Sequence, residues 1–337
     1  WEGHKLTKGE ALEVSGIEDV RWLEEFDTYI QLKAVERERL YLNVPENPKF
    51  QTAVKGPEIR MYEMLKDKFP LHSYQRLAPI VQSLRVIKEH EELEILKKAC
   101  KITKEAFLRV LDKTQSGVME FEIEAEITYE FLKQGSSGHA YAPIVASGKN
   151  ACVLHYIENN HECKSGELLL MDFGAEYGNY AADCSRTIPV SGNFTSRQRE
   201  LYEACLSVFK YARSLMIPGT SINEMHKKVG QFWENKHIEL GLYTGEDVKN
   251  SDPEKPLWKK YYMHGTSHFL GLDVHDVGSK DQLFEPGMVL TCEPGIYIPD
   301  ESVGISLEND ILITEEGNID LMGDIPIEPD EIEQLMK

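Results

Sequence analysis

Four acidic residues, Asp172, Asp183, Glu293 and Glu308, lie inside apolar runs, where an unpartnered carboxylate is costly to bury. Asp172 follows Leu168, Leu169, Leu170 and Met171, and Glu293 follows Val289, Leu290, Thr291 and Cys292. Glu308 lies between Ile305 and Ile311 in a further run of this kind. Gly178-Asn179 is a two-residue turn signal between apolar arms. A hairpin closed there sets Tyr177 opposite Tyr180, Gly174 opposite Asp183 and Asp172 opposite Ser185. Strand side chains alternate, so Asp172 and Asp183 become diagonal neighbours on one face, about 7 Å apart at the backbone. Two carboxylates so placed repel unless one is protonated or a cation lies between them. Carboxylates suit hard divalent ions. Two such ions about 3.5–4 Å apart activate water and stabilise a tetrahedral intermediate. The segment from His264 to Gly278 adds His264, His268 and His275. An imidazole ligand favours Mn, Fe, Co or Zn over Mg or Ca. Spacing alone does not say which histidine would bind.

Elements must bring these residues together. From Lys88, apolar positions Leu93, Leu96, Cys100, Phe107, Val110 and Leu111 recur at helical spacing and predict a long helix broken by Gly117. Ile123, Ile127 and Phe131 mark a second helix, closed by Gly135. Strands are expected at 143–147, 153–156 and 168–173. A second round follows. Thr195 with Gln198 forms a capping box ahead of Leu201, Cys205, Val208, Phe209 and Ala212. Ser221 with Glu224 caps the next helix, and strands are expected at 264–270, 289–292 and 311–314. Gly166 lies six positions before Asp172, and Gly287 six before Glu293. His155 precedes Asp172 by 17 positions, and His275 precedes Glu293 by 18. The pattern predicts an internal duplication over about 88–190 and 195–325. Each repeat alone would leave an apolar sheet face open, and two facing repeats would cover it.

The 337 residues and 41% apolar content allow one large domain and a smaller piece. The division is expected near residue 84, with a mixed α/β part at 1–84 and the repeats at 85–337. A net charge of -20 argues against a nucleic-acid partner. No apolar run is long enough for a membrane helix, and the start carries no apolar signal region. None of the six cysteines forms a C-x-x-C pair. They read as reduced, mostly buried thiols in a cytoplasmic protein.

In order and spacing, these motifs resemble those of the pita-bread metallopeptidases, specifically the X-prolyl aminopeptidases (aminopeptidase P) and the related prolidases. The resemblance spans about residues 85–335. It implies an α+β fold with an internal two-fold repeat, preceded by part of a smaller α/β domain. It implies that Asp172, Asp183, His268, Glu293 and Glu308 hold two divalent metal ions, with Asp183 and Glu308 bridging. Manganese is the expected ion, with zinc or cobalt as alternatives. His155, His264 and His275 are expected to line the site, and Glu293 to act also as general base. The implied reaction is attack of a metal-activated hydroxide on an X-Pro bond at a peptide N-terminus, by a homodimer or homotetramer. Alternatives are a prolidase cutting X-Pro dipeptides, a creatinase-like amidohydrolase, or a weakened peptide-binding module. One departure stands out: Ser306 occupies a position where the family usually carries arginine, and serine cannot supply a guanidinium's bidentate bonds. The part before residue 85 is also about half the family's usual length.

Overall fold

The computed structural model describes residues 1–46 and 53–337. The chain forms two compact units, Trp1–Ser83 and Leu84–Lys337. The first holds α1 (Lys8–Ser15), α2 (Phe26–Val35), β1 (Arg39–Leu42), α3 (Pro57–Lys68) and β2 (Ser73–Arg76). Strands β1 and β2 pair in parallel, with Leu40 beside Tyr74. A two-stranded sheet is marginal alone. Here Ala34 of α2 and Leu65 of α3 are buried, and the Tyr74 hydroxyl donates to the carbonyls of Leu65 and Phe69. Helix α4 (Ala78–Val86) carries the chain into the second unit.

That unit runs in two rounds. The first has α5 (His90–Lys113), α6 (Glu120–Lys133), β3 (Gly138–His139), β4 (Ile144–Ser147), β5 (Leu168–Asp172), β6 (Ala175–Tyr177), β7 (Tyr180–Ala181) and β8 (Ser185–Pro189). The second has α7 (Ser196–Ser214), α8 (Ile222–Glu239), α9 (Gly245–Asn250), β9 (Val289–Cys292), β10 (Gly295–Ile298), β11 (Val303–Ser306), β12 (Asn309–Thr314) and β13 (Gly317–Asp320), closed by α10 (Pro329–Leu335). Each round contributes an antiparallel three-stranded sheet, β4-β5-β8 and β13-β12-β9. The helices turn apolar stripes onto these sheets. Ile123, Ile127 and Phe131 of α6 are fully buried, as are Leu201, Cys205 and Val208 of α7. Each such aliphatic or aromatic side chain contributes roughly 1.5–3 kcal/mol by burial. The capping box of Thr195 and Gln198 starts α7 as its sequence requires. Among the described residues, no helix is long and apolar enough to cross a membrane.

The hairpin forms as the turn signal predicts. Gly178 and Asn179 both take left-handed backbone angles, φ 57° and 68°, the pair that a type I′ turn requires. Tyr177 faces Tyr180 and Asp172 faces Ser185. Two expected strands do not form. Residues 153–156 form a turn after a short 3-10 helix at Gly148–Cys152, held by backbone bonds from Val153 N–H to Asn150 O and from Tyr156 N–H to Val153 O and by the Tyr156 hydroxyl on Glu120 rather than by a ladder. Residues 264–270 run beside β9 with one bridge, Phe269 to Leu290. Their carbonyls are used even so: Thr291 N–H donates to His268 O and Glu293 N–H to Thr266 O.

Candidate metal centre

The strand ends of both rounds meet in one cavity, lined by Asp172, Asp183, Glu293 and Glu308 together with His155, His264, His268, His275 and Tyr141. All nine come from the second unit. Asp172 ends β5, and Asp183 lies two residues before β8. Glu293 follows β9, and Glu308 precedes β12. Ligand atoms of Asp183, His268 and Glu308 lie within 4.8 Å of one another. His268 Nε2 is 3.3 Å from Asp183 Oδ2 and 3.8 Å from Glu293 Oε1.

The charge balance is the site's main physical feature. No Lys or Arg lines the cavity among the described residues. Burial, then the charge of Asp183, pushes the Asp172 carboxyl up to about 8. Burial also raises Glu293 to about 7, although the nearby His268 opposes the rise. Glu308 is driven well above the carboxylate range by burial and by Asp183. Burial would lower His268, but its hydrogen bond to Asp183 and the charge of Glu293 raise it to about 9. These are the signs of a negative pocket that takes up cations, whether protons or metal ions.

The donor set fits divalent metal. His268 Nδ1 faces the carbonyl of Phe269 at 3.0 Å. A carbonyl only accepts, so Nδ1 carries a proton and Nε2 is the atom turned toward the carboxylates: protonated, as its raised pKa favours, it donates to Asp183, and on losing that proton it offers a lone pair to a metal ion. Acceptor then faces acceptor unless a cation lies between. The Tyr141 hydroxyl lies 2.6 Å from Asp172 Oδ1 and 2.5 Å from Asp183 Oδ1. It has one proton for two carboxylates. The remaining carboxylates have neutral partners: Thr291 Oγ1 donates to Glu293 Oε1 at 3.2 Å, and Ser185 Oγ donates to Glu308 Oε2 at 2.8 Å.

The histidines differ in setting. His264 Nδ1 donates to Gly265 O at 2.8 Å, and its Nε2 lies 2.9 Å from the Tyr297 hydroxyl. Burial lowers its pKa to about 4, which keeps it neutral. His275 stands edge-on to His268, with ring centroids 4.3 Å apart. His155 is exposed at the mouth. Ser306 is buried against the same cavity, its N–H bonded to Thr187 Oγ1 at 3.1 Å.

Three residues of this region carry no sequence signal. Tyr141 lies in an irregular segment between β3 and β4, and the pairing of His139 with Ala175, the bond from Ala140 N–H to Gly174 O and the pairing of Ile144 with Asp172 bring it over the aspartates. Asp310 is fully buried and accepts from Asp183 N–H and from the Cys100 thiol. Arg186, also fully buried, donates to the carbonyls of Ser185, Glu308 and Pro326 and to Asn309 Oδ1. It thereby ties β8 to the start of β12. All six cysteines are free, and all but Cys152 are buried.

Comparisons with known proteins agree with this geometry. Residues 94–315 match the model of metallopeptidase family M24. The Xaa-Pro aminopeptidase of Escherichia coli is 42% identical over 77% of the chain, which spans 61% of that relative's length. The Haemophilus influenzae Xaa-Pro aminopeptidase is 35% identical over the whole chain, which spans 78% of that relative. A putative aminopeptidase P from Bacillus anthracis superposes with a TM-score of 0.92 at 35% identity, covering the whole chain and 78% of that structure. Zinc-substituted E. coli aminopeptidase P in complex with product gives 0.88 at 34%, covering the whole chain and 79% of that structure. The fold is thus the pita-bread arrangement that the motifs imply, and the chain belongs to metallopeptidase family M24.

Proposed function

We propose that the protein is a metal-dependent aminopeptidase that releases the first residue of peptides with proline in second place. The observation that carries this reading is the cavity itself: four carboxylates and an imidazole converge with no basic side chain among its described lining residues, beside an apolar wall of Ile144, Leu154, Ile157 and Val274. The relatives named above add support. In this reading Asp172, Asp183, His268, Glu293 and Glu308 would hold two divalent ions. Manganese is the proposed ion. Bound there, it would supply Lewis acidity toward water and the peptide carbonyl.

The chain's own groups do the rest. Glu293 takes the proton of the attacking water. Neutral His264, with both ring nitrogens engaged by Gly265 and Tyr297, holds its ring in a fixed place on the cavity wall against the bound peptide. His155 and His275 stabilise the tetrahedral intermediate and pass a proton to the prolyl nitrogen as the bond breaks. The apolar wall excludes water and accepts the proline ring. The free thiols fit a cytoplasmic location.

The test is release of the first amino acid from Arg-Pro-Pro and from Gly-Pro, using metal-stripped protein reloaded with manganese. Metal-dependent cleavage of the tripeptide is expected. Cleavage of the dipeptide alone would make the protein a prolidase. Two ions bound without cleavage of either would mean a built but disarmed site, with Ser306 the first residue to restore to arginine.

A further inference from the structure

His155 lines the cavity from an exposed position, and among the described residues its ring makes no hydrogen bond. Its aim is therefore set by the backbone around it, which has no strand to hold it. That backbone is tied down from behind. Glu120, the first residue of α6, is completely buried. Its Oε1 accepts from Ser147 N–H and Ser147 Oγ, both at 2.7 Å, and from Asn150 Nδ2 at 3.3 Å. Its Oε2 accepts from the Tyr156 hydroxyl at 2.7 Å and from His161 N–H at 2.9 Å. These donors bracket His155 on both sides, and Tyr156 is its immediate neighbour. Burial acts to raise the carboxyl, but the donors from Tyr156, His161 and Ser147 hold it below its ordinary value, so it stays ionised. Its place at a helix N-terminus adds to that preference. One turn along α6, Glu124 accepts from Asn159, whose side chain also bonds Val145 N–H and Pro143 O.

We infer that Glu120 is a positioning residue: its buried carboxylate gathers the segments on either side of His155 and so fixes where that imidazole meets the substrate. Glu120 touches no residue of the proposed metal set, so its effect is separable from metal loading. The inference rests on the proposed hydrolysis for His155's role, but not for the anchoring itself. Glu120→Gln is the direct variant, since an amide cannot accept from donors at both of its ends. The backbone bond from Glu120 N–H to His161 O and the bridge from Met119 to Glu162 remain to keep the fold. Tyr156→Phe is the milder companion, deleting one donor and leaving the carboxylate.

The measurement is amide hydrogen exchange across 153–161 in the manganese-loaded full chain, with 289–314 as internal reference. It is paired with kcat on Arg-Pro-Pro in the wild-type and His155→Ala backgrounds. For Glu120→Gln, exchange across 153–161 should quicken by about 10-fold or more while 289–314 is unchanged. Bound manganese should stay the same. kcat should fall about 10- to 100-fold, the scale of a misplaced catalytic group, with no further loss when His155 is already alanine. Tyr156→Phe should shift the same segment by a smaller amount, and it decides the matter if Glu120→Gln does not fold. Unchanged exchange at 153–161, or an equal loss of kcat with and without His155, would overturn the inference. A wild-type protein that cleaves neither peptide would defeat the proposed function, and the exchange result would still decide whether Glu120 anchors the loop.

Discussion

The two hairpins that supply the acids share a frame and fill it differently. In the first, Asp172 lies opposite Ser185, and Asp183 sits two residues further toward the turn. In the second, Cys292 pairs with Asn309 and Gly295 with Ser306, and the same register sets Glu293 opposite Glu308. Ser185 thus holds the rung that Glu308 holds, and Ser306 the rung of Asp183. Gly166 and Gly287 open the matching strands with φ of 88° and 91°. The duplicated backbone offers equivalent positions, but the acids are diagonal in one half and opposed in the other. Each half then tends the other's charge. Ser185 of the first bonds Glu308 of the second, and Asp310 of the second accepts from the N–H of Asp183. The imidazole comes from the second half alone, and the bridging tyrosine from the first. A two-fold fold therefore yields a one-sided site.

The comparison can be broken most forcefully at its two central acids. Asp183→Ala and Glu308→Ala should each lower kcat/KM by ~1000-fold or more and strip bound metal, as read by peptide cleavage and elemental analysis. If only one half matters, one of the two variants keeps its ions and its activity.

A smaller effect concerns the metal-free protein. Asp172 and Glu293 have folded pKa values of about 8 and 7, against 3.8 and 4.5 for the free side chains. The folded chain then holds more protons than the unfolded one between those limits. The contribution of these two carboxyls to stability is fully present below about pH 4 and is lost as pH rises from there through 7 to 8. Thermal melts of stripped protein should show Tm falling over that range, and added manganese should reverse it. A flat profile would mean that the two carboxylates are not forced together.

The smallest effects separate the halves by their neutral donors. Tyr141→Phe removes the hydroxyl at 2.5 and 2.6 Å from two aspartates, whereas Thr291→Val removes a 3.2 Å bond to Glu293. Lost partners of ligands typically cost about 10- to 100-fold in metal affinity or activity. Tyr141→Phe should weaken manganese binding about 10-fold in titration calorimetry, and Thr291→Val by about two- to three-fold on this scale. Equal losses would remove the asymmetry.

Much of the centre is legible in the chain because it is written in local rules. Alternation along β5, the Gly178-Asn179 turn and the rarity of acids in apolar strands bring Asp172 and Asp183 to one face without reference to anything distant. The helices follow from apolar spacing and caps such as Thr195 with Gln198. The expectation fails where irregular segments replace strands. Residues 153–156 look like a strand by composition, yet Tyr156 is held by Glu120, 36 positions away in sequence. The sequence by itself thus determined the elements, the duplicated frame and which acids are out of place among apolar neighbours, because these depend on spacing within one strand or helix. Only the tertiary structure decided that Tyr141 bridges the aspartates, that Arg186 ties Ser185 to Glu308, and that Glu120 lies behind His155. Those partners meet through the packing of separate segments, and a hydrogen bond between distant residues leaves no periodic trace in the chain.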